Sequence, residues 1–197
     1  MSEGRIGVFL DRDGTLNEEV DFVRTADQLR LIPGAVAAVK KLNDQGTVVC
    51  VISNQSGVAR GYITEEDLVS IHAKLKDELR LGGAHIDRIY YCPHHPTEGV
   101  APYNVECDCR KPKPGMLKRG EAELDTDLGR SFLIGDSVVD MQAAHAVGAS
   151  AVLVRTGYGK TAQEECRKKN IPVAHVAASI VDGVDFVLDT LKGRIAR

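Results

Sequence analysis

Two carboxylates one residue apart, with a glycine behind them, stand at Asp11-Arg12-Asp13-Gly14-Thr15. That spacing lets the chain turn sharply while both acids stay near one point, at the carboxyl end of a strand, where open α/β sheets bind ligands. A second acidic run is Gly135-Asp136-Ser137-Val138-Val139-Asp140. Three acids brought together repel one another unless a cation joins them. An all-oxygen set of this kind suits Mg²⁺, which binds through few carboxylates and keeps room for waters and substrate phosphate. Ser53-Asn54-Gln55-Ser56-Gly57 offers a hydroxyl and backbone N–H groups to phosphate oxygens. Arg110-Lys111-Pro112-Lys113-Pro114-Gly115 adds a point charge for phosphate at Lys111 and a fork for a carboxylate or second phosphate at Arg110. Each run alone has a plainer account as an Asp-Gly turn or a solvated basic turn. Asp140 reads as a solvated helix residue or helix-dipole partner and, equally, as a support for the metal-binding acids.

A different chemistry gathers at Cys92-Pro93-His94-His95 and Cys107-Asp108-Cys109. Cys-x-His followed by Cys-x-Cys supplies three thiolates and one imidazole, a tetrahedral Zn²⁺ set. His94 is the expected ligand rather than His95, because its spacing mirrors the second pair. Four protein ligands close the site, so the zinc is expected to be structural. It would explain the proline-rich stretch Cys92 to Pro114, which follows no periodic pattern, and would sit directly before Arg110 and Lys111. Cys50, within Val48 to Ile52, reads as a small buried hydrophobe. Cys166, among charges, carries no signal, and His72, His85, His145 and His175 fall in periodic segments without assigned chemistry.

The elements that must position these groups alternate along the chain. Short apolar runs predict strands at Gly4–Leu10, Thr47–Ile52, Ile86–Tyr91, Ser131–Ile134, Ser150–Val154 and Val184–Leu188. Helices are expected from Pro33 to Gly46, from an N-cap at Thr64 to Gly82-Gly83, from Pro114, and from Asp136 to about Gly148. Nearly continuous aliphatic strands between helices predict an α/β fold with a doubly wound, mainly parallel, Rossmann-like sheet. Ligands bind such sheets at the carboxyl ends of the strands, which is where all four oxygen- and nitrogen-bearing runs fall. Residues 160–178 have mixed character and receive no functional reading.

The 197 residues carry 25 Lys plus Arg against 28 Asp plus Glu, a formal net charge of −3. Without a basic stripe, and with 5% aromatic residues, nucleic acid is not the expected partner. No apolar run reaches the roughly 18 residues of a membrane helix, and the first ten residues lack a signal-peptide pattern. A cytoplasmic location is therefore expected. The odd count of five cysteines is a poor disulfide framework.

The order of acidic pair, hydroxyl run, lysine and second acidic pair resembles the four motifs of the haloacid dehalogenase superfamily of phosphatases, over about residues 5–160. Within it, Asp11 to Asn17, Asn54 to Gly61, Tyr91 to Pro96 and Cys107 to Pro112 are similar to the family that removes the 7-phosphate of D-glycero-D-manno-heptose 1,7-bisphosphate on the way to nucleotide sugars. Histidinol-phosphate phosphatases are near relatives that share the zinc loop. The resemblance implies Asp11 as nucleophile, Asp13 as acid and base, and Mg²⁺ held by Asp11, Asp136 and the main-chain carbonyl of Asp13. It implies Lys111, Ser53 and Asn54 around the phosphate or sugar, and Arg110 on the sugar or its distal phosphate. Family members often carry a basic residue after the motif acid, where this chain has Ser137.

Only 39 residues lie between Asp13 and Ser53, too few for a large cap domain beside a helix and part of a strand. The expected unit is one domain, 1–197, with a zinc loop at 92–110, acting as a monomer on a small phosphorylated sugar. Selectivity then rests on the loops Glu18–Val23, with Glu19 and Asp21 as substrate contacts, and Cys92–Arg110. The alternatives are histidinol phosphate or another small sugar phosphate as substrate, a phosphotransferase, and a zinc-stabilised binding module without catalysis.

Overall fold

Alternate residues of each strand face opposite ways, so this sheet has two cores rather than one. The computed structural model describes residues 4–195. Residues 1–3 and 196–197, part of the expected 1–197 unit, lie outside the described residues. Six strands, β1 (Gly7–Leu10), β2 (Val48–Asn54), β3 (Arg88–Cys92), β4 (Phe132–Gly135), β5 (Ser150–Val154) and β6 (His175–Ala177), form one sheet in the order β3-β2-β1-β4-β5-β6. Every pairing is parallel. Six helices cover it: α1 (Ala35–Asp44), α2 (Glu65–Leu81), α3 (Gly115–Leu124), α4 (Val138–His145), α5 (Gly159–Lys168) and α6 (Ile180–Ile195).

Val8, Leu10, Val49, Val51, Ile134 and Val152 face α1, α2 and α6. Phe9, Cys50, Ile52, Leu133 and Leu153 face α3, α4 and α5. A wholly buried ring such as Phe9 contributes about 2–3 kcal/mol through its lost contact with water. Both faces being covered is what makes the strands read as continuous apolar runs. The β1-to-β2 connection contains one short 3-10 turn and α1, and holds no cap domain.

The α2 start follows the expected chemistry. Thr64 Oγ1 accepts from Asp67 N at 3.1 Å, and Asp67 Oδ2 accepts from Thr64 N at 2.8 Å. One expected strand is wrong. Val184–Leu188 is part of α6, and the sixth strand is His175–Ala177. The buried residues are Ile180, Val184, Val187 and Leu191, a helical stripe that the local Val-Asp-Phe-Val-Leu run hides. Residues 160–178 hold most of α5 and all of β6, and Cys166 turns out to be buried on the inner side of α5. Among the described residues no helix is long and apolar enough to cross a membrane.

Candidate active site

The strand order reverses between β1 and β4, which lie side by side, so an acid following each strand becomes the neighbour of the other. Asp11 follows β1, and its N–H donates to the Ile134 carbonyl of β4 at 2.9 Å. Asp136 follows β4. Carboxylate oxygens of Asp11, Asp136 and Asp140 lie within 4.8 Å of one another, all three residues buried. The Asp13 carboxylate does not join that group.

One ammonium faces them. Lys111 Nζ is 2.9 Å from Asp11 Oδ1 and 2.6 Å from Asp140 Oδ1, and donates to the Ile52 carbonyl at 2.9 Å. Burial alone would lower the lysine pKa, but the two carboxylates outweigh it and raise it, so the side chain stays charged. The acids show the opposite balance. Burial pushes the Asp11 carboxyl up to about 7, with Lys111 opposing and Asp140 adding to it. Burial, then the charges of Asp11 and Asp140, pushes Asp136 up to about 8. Three buried acids against one ammonium leave negative charge uncompensated. A hard divalent cation answers that deficit, so this donor set fits Mg²⁺.

The turns around the acids are built for close approach. Gly14 (φ +75°) and Gly157 (φ +53°) each sit where a Cβ would lie 2.1 Å from Asp136 Oδ2. Thr156 Oγ1 donates to the Gly14 carbonyl at 2.6 Å, and Tyr158 N donates to Asp136 Oδ2 at 2.8 Å. Ser137 opens α4, and both its N–H and its hydroxyl bond Asp140 Oδ2, so the position after the motif acid supplies no cation.

Asp13 is held by a second network. Its carboxylate accepts from Arg12 Nη2 at 2.8 Å, Asn17 Nδ2 at 2.9 Å and Gln55 Nε2 at 2.8 Å. Burial would raise its pKa, but the Arg12 guanidinium and these bonds hold it below the usual carboxylate range. Arg12, with no exposed surface, also donates to Gln55 Oε1 at 3.1 Å and approaches His72 Nε2 at 3.3 Å. A guanidinium only donates, so Nε2 of His72 is the acceptor and the ring is neutral.

The cleft in front of these groups has a volume of about 210 Å³. Asp11, Ser53, Lys111 and Asp136 form its buried lining, and Asp21 and Tyr158 are exposed at its edge with Glu19 half-buried. Ser53 Oγ accepts from Gln55 Nε2 at 2.8 Å. Asn54 also lines the cleft, but both ends of its amide clasp the Lys111 backbone, each at 3.0 Å. Arg110 donates to the His94 carbonyl at 3.2 Å and lines an adjoining cavity of about 220 Å³ with Lys111 and Lys113.

The loop between β3 and α3 brings Cys92, His94, Cys107 and Cys109 together. Sγ–Sγ distances are 3.5 Å (Cys92 to Cys107) and 3.3 Å (Cys107 to Cys109). His94 Nδ1 is 3.7 Å from Cys92 Sγ and 3.4 Å from Cys109 Sγ. A tetrahedron with Zn–S of about 2.3 Å and Zn–N of about 2.0 Å has edges of about 3.5–3.8 Å. The donor set therefore fits zinc, and the sulfurs are far too distant for disulfides. His95 Nδ1 turns elsewhere and accepts from Glu98 N at 3.1 Å.

The residues that sequence reasoning left without chemistry are Arg12, Gln55, His72 and Tyr158. Arg12 had a signal, a basic residue locked between two acids at a buried strand end. Asp140 had one as well, since Ser137-x-x-Asp140 is a capping-box spacing that draws the acid inward. His72 stands four residues after Leu68, on the buried side of α2. Tyr158 had none.

A family model described as HAD-hydrolase-like matches residues 108–183. A D-glycero-beta-D-manno-heptose-1,7-bisphosphate 7-phosphatase from Yersinia pestis is 42% identical over 84% of this chain and 88% of its own. One of the same name from Haemophilus ducreyi is 41% identical over 93% of this chain and 99% of its own. Among solved structures, a D,D-heptose 1,7-bisphosphate phosphatase from B. bronchiseptica, complexed with magnesium and phosphate, superposes with a TM-score of 0.83. It is 33% identical and covers 94% of this chain and 99% of its own.

Proposed function

The chain belongs to the heptose-1,7-bisphosphate 7-phosphatase family of haloacid-dehalogenase-like phosphatases, and from that footing we propose that it hydrolyses the 7-phosphate ester of D-glycero-D-manno-heptose 1,7-bisphosphate through an aspartyl-phosphate. The observation that carries the reading is the convergence of Asp11 and Asp136 beside the Lys111 ammonium in one cleft.

In this proposal an oxygen of Asp11 attacks phosphorus in line, and the bond from phosphorus to the sugar oxygen breaks. Asp13, ionised in the free site, passes to the departing alkoxide a proton that enters with the monoanionic phosphate ester. It then takes a proton from the water that attacks the aspartyl-phosphate, releasing inorganic phosphate and restoring Asp11. Lys111, fixed by Ile52, Asn54 and Asp140, places positive charge against the phosphoryl oxygens. Ser53, whose oxygen accepts from Gln55, keeps its own proton to donate to a phosphoryl oxygen. Asn54 contributes by holding Lys111, and Arg110 by meeting the sugar or its distal phosphate from the adjoining cavity. Glu19 and Asp21 accept from sugar hydroxyls.

Asp11 and Asp136, with the Asp13 main-chain carbonyl, would hold Mg²⁺, which supplies further positive charge to the phosphoryl group when bound. Cys92, His94, Cys107 and Cys109 would hold a structural Zn²⁺ that gives loop 92–110 its shape. We take the working form to be one domain, 1–197, acting as a cytoplasmic monomer. The test is phosphate release from the heptose bisphosphate and from histidinol phosphate, with and without Mg²⁺. Faster release from the first, dependent on Mg²⁺, is the expected result. Faster release from the second transfers the substrate assignment to histidinol phosphate.

A further inference from the structure

Tyr158 links the two sides of the cleft. Its backbone N–H donates to Asp136 Oδ2 at 2.8 Å, on the acidic floor. Its hydroxyl donates to Asp21 Oδ1 at 2.9 Å, on the opposite loop. The ring lines the cleft between those two bonds and is half exposed at its edge. The hydrogen bond to Asp21 comes first among the causes that push the phenol up to about 12, so it remains a donor across ordinary working pH.

Asp21 gains its position from this contact. Its backbone has φ +60°, a left-handed conformation that a non-glycine residue adopts at some cost. Phe22 N donates to the Val20 carbonyl at 2.7 Å, closing the turn around Asp21, and Tyr158 ties its carboxylate from across the cleft. A carboxylate offers about four acceptor positions, and Tyr158 occupies one of them. The rest suit hydroxyl donors and oppose a second anion.

We propose that Tyr158 is a specificity-determining residue, which fixes the Asp21 carboxylate at the cleft edge as an acceptor for hydroxyl groups and so selects phosphate esters of polyhydroxylated alcohols over those of plain alcohols. This rests on the phosphatase reading of the cleft. It goes beyond that reading by assigning the selection to a residue outside the phosphate-handling group. It also places the second phosphate of a bisphosphate away from Asp21, toward Arg110.

The test compares the whole protein with Tyr158→Phe, Asp21→Asn and the double variant, in Mg²⁺. The probes are a matched pair of six-carbon esters, sorbitol 6-phosphate and n-hexyl phosphate. The wild type is expected to prefer the polyol ester. In Tyr158→Phe the ratio of kcat/KM for the two esters should fall about tenfold, carried by KM for the polyol. Asp21→Asn should lower the same ratio, and the double variant should lower it no further than the larger single effect. A ratio in Tyr158→Phe equal to that of the wild type overturns the proposal. So does a proportional loss of kcat on both esters: the variant keeps the backbone N–H on Asp136, and such a loss would mean that the hydroxyl serves the common chemical step rather than selection. A wild type that prefers the polyol ester yet ignores the heptose bisphosphate leaves this inference standing and sinks the substrate assignment instead. A wild type with no preference between the esters sinks this inference alone.

Discussion

Lowering the pH from 7 to 5 should weaken the fold by a calculable amount through one residue, His72. In the unfolded chain it titrates near 6.5. In the folded chain burial, and then the positive charge of Arg12, bring it down to about 3, with Asp13 opposing and Lys76 adding a little. Between those values the unfolded chain binds a proton that the folded chain refuses, so stability falls as pH falls. The slope is about 1.4 kcal/mol per pH unit below 6.5. At pH 5 the accumulated loss is about 2 kcal/mol, and any folded value below 4 leaves that figure nearly unchanged. His72→Gln keeps an acceptor for Arg12 Nη1 and removes the titration. Urea unfolding of both proteins at pH 7 and pH 5 measures the difference. The wild type should lose about 2 kcal/mol more than the variant over that interval. Parallel losses would show that the folded protein accommodates the imidazolium, and the buried Arg12–His72 contact would then be wrong as described.

Three further outcomes are expected. Asp11→Asn should reduce kcat by about three orders of magnitude or more while far-UV circular dichroism stays that of the folded chain, because the variant keeps the shape and loses the proposed nucleophile. Gly14→Ala should destabilise by about 3 kcal/mol or more in urea, since its Cβ would meet Asp136 Oδ2 at 2.1 Å, whereas Gly46→Ala, with φ +77° but nothing within 4 Å, should cost only about 1 kcal/mol. Cys107→Ser should drop bound zinc well below one per chain by elemental analysis and lower Tm by about 5–10 °C.

The acids at the strand ends were legible because an apolar run that stops at Asp or Gly-Asp is both a strand signal and a site signal. The cluster of Cys92, His94, Cys107 and Cys109 was legible because four soft donors in eighteen residues have no packing explanation. The sixth strand was not, since three residues at a sheet edge, two of them half-buried, carry too little pattern to outweigh Val184–Leu188 nearby. That run looks continuous over five residues, and its helical period shows only when Ile180 and Leu191 are counted with it. Arg12 and His72 were hidden for another reason. Each is polar in a segment read by its apolar neighbours, and what buries them is their contact with each other and with Asp13, across sixty residues of chain. The partnership of Tyr158 with Asp21 spans 137 positions and leaves no local trace.

Lys111 shows how the two halves of this design depend on each other. It follows Cys109 by two residues, so the shape of loop 92–110 sets where its backbone arrives. Yet four groups outside that loop receive it: Asn54 on its backbone, and Ile52, Asp11 and Asp140 on its ammonium. Three of the four come from β2 or from the turn after β1. The loop therefore delivers the lysine and the sheet fixes it, which separates two failures that would otherwise look alike. Opening loop 92–110, as loss of its proposed zinc would, raises the entropy of delivery while leaving the receiving groups intact, so it should weaken catalysis by degrees. Removing Asp140 leaves the ammonium with Asp11 as its one close carboxylate, drawing positive charge onto the proposed nucleophile, and should impair the chemical step even when the loop is whole.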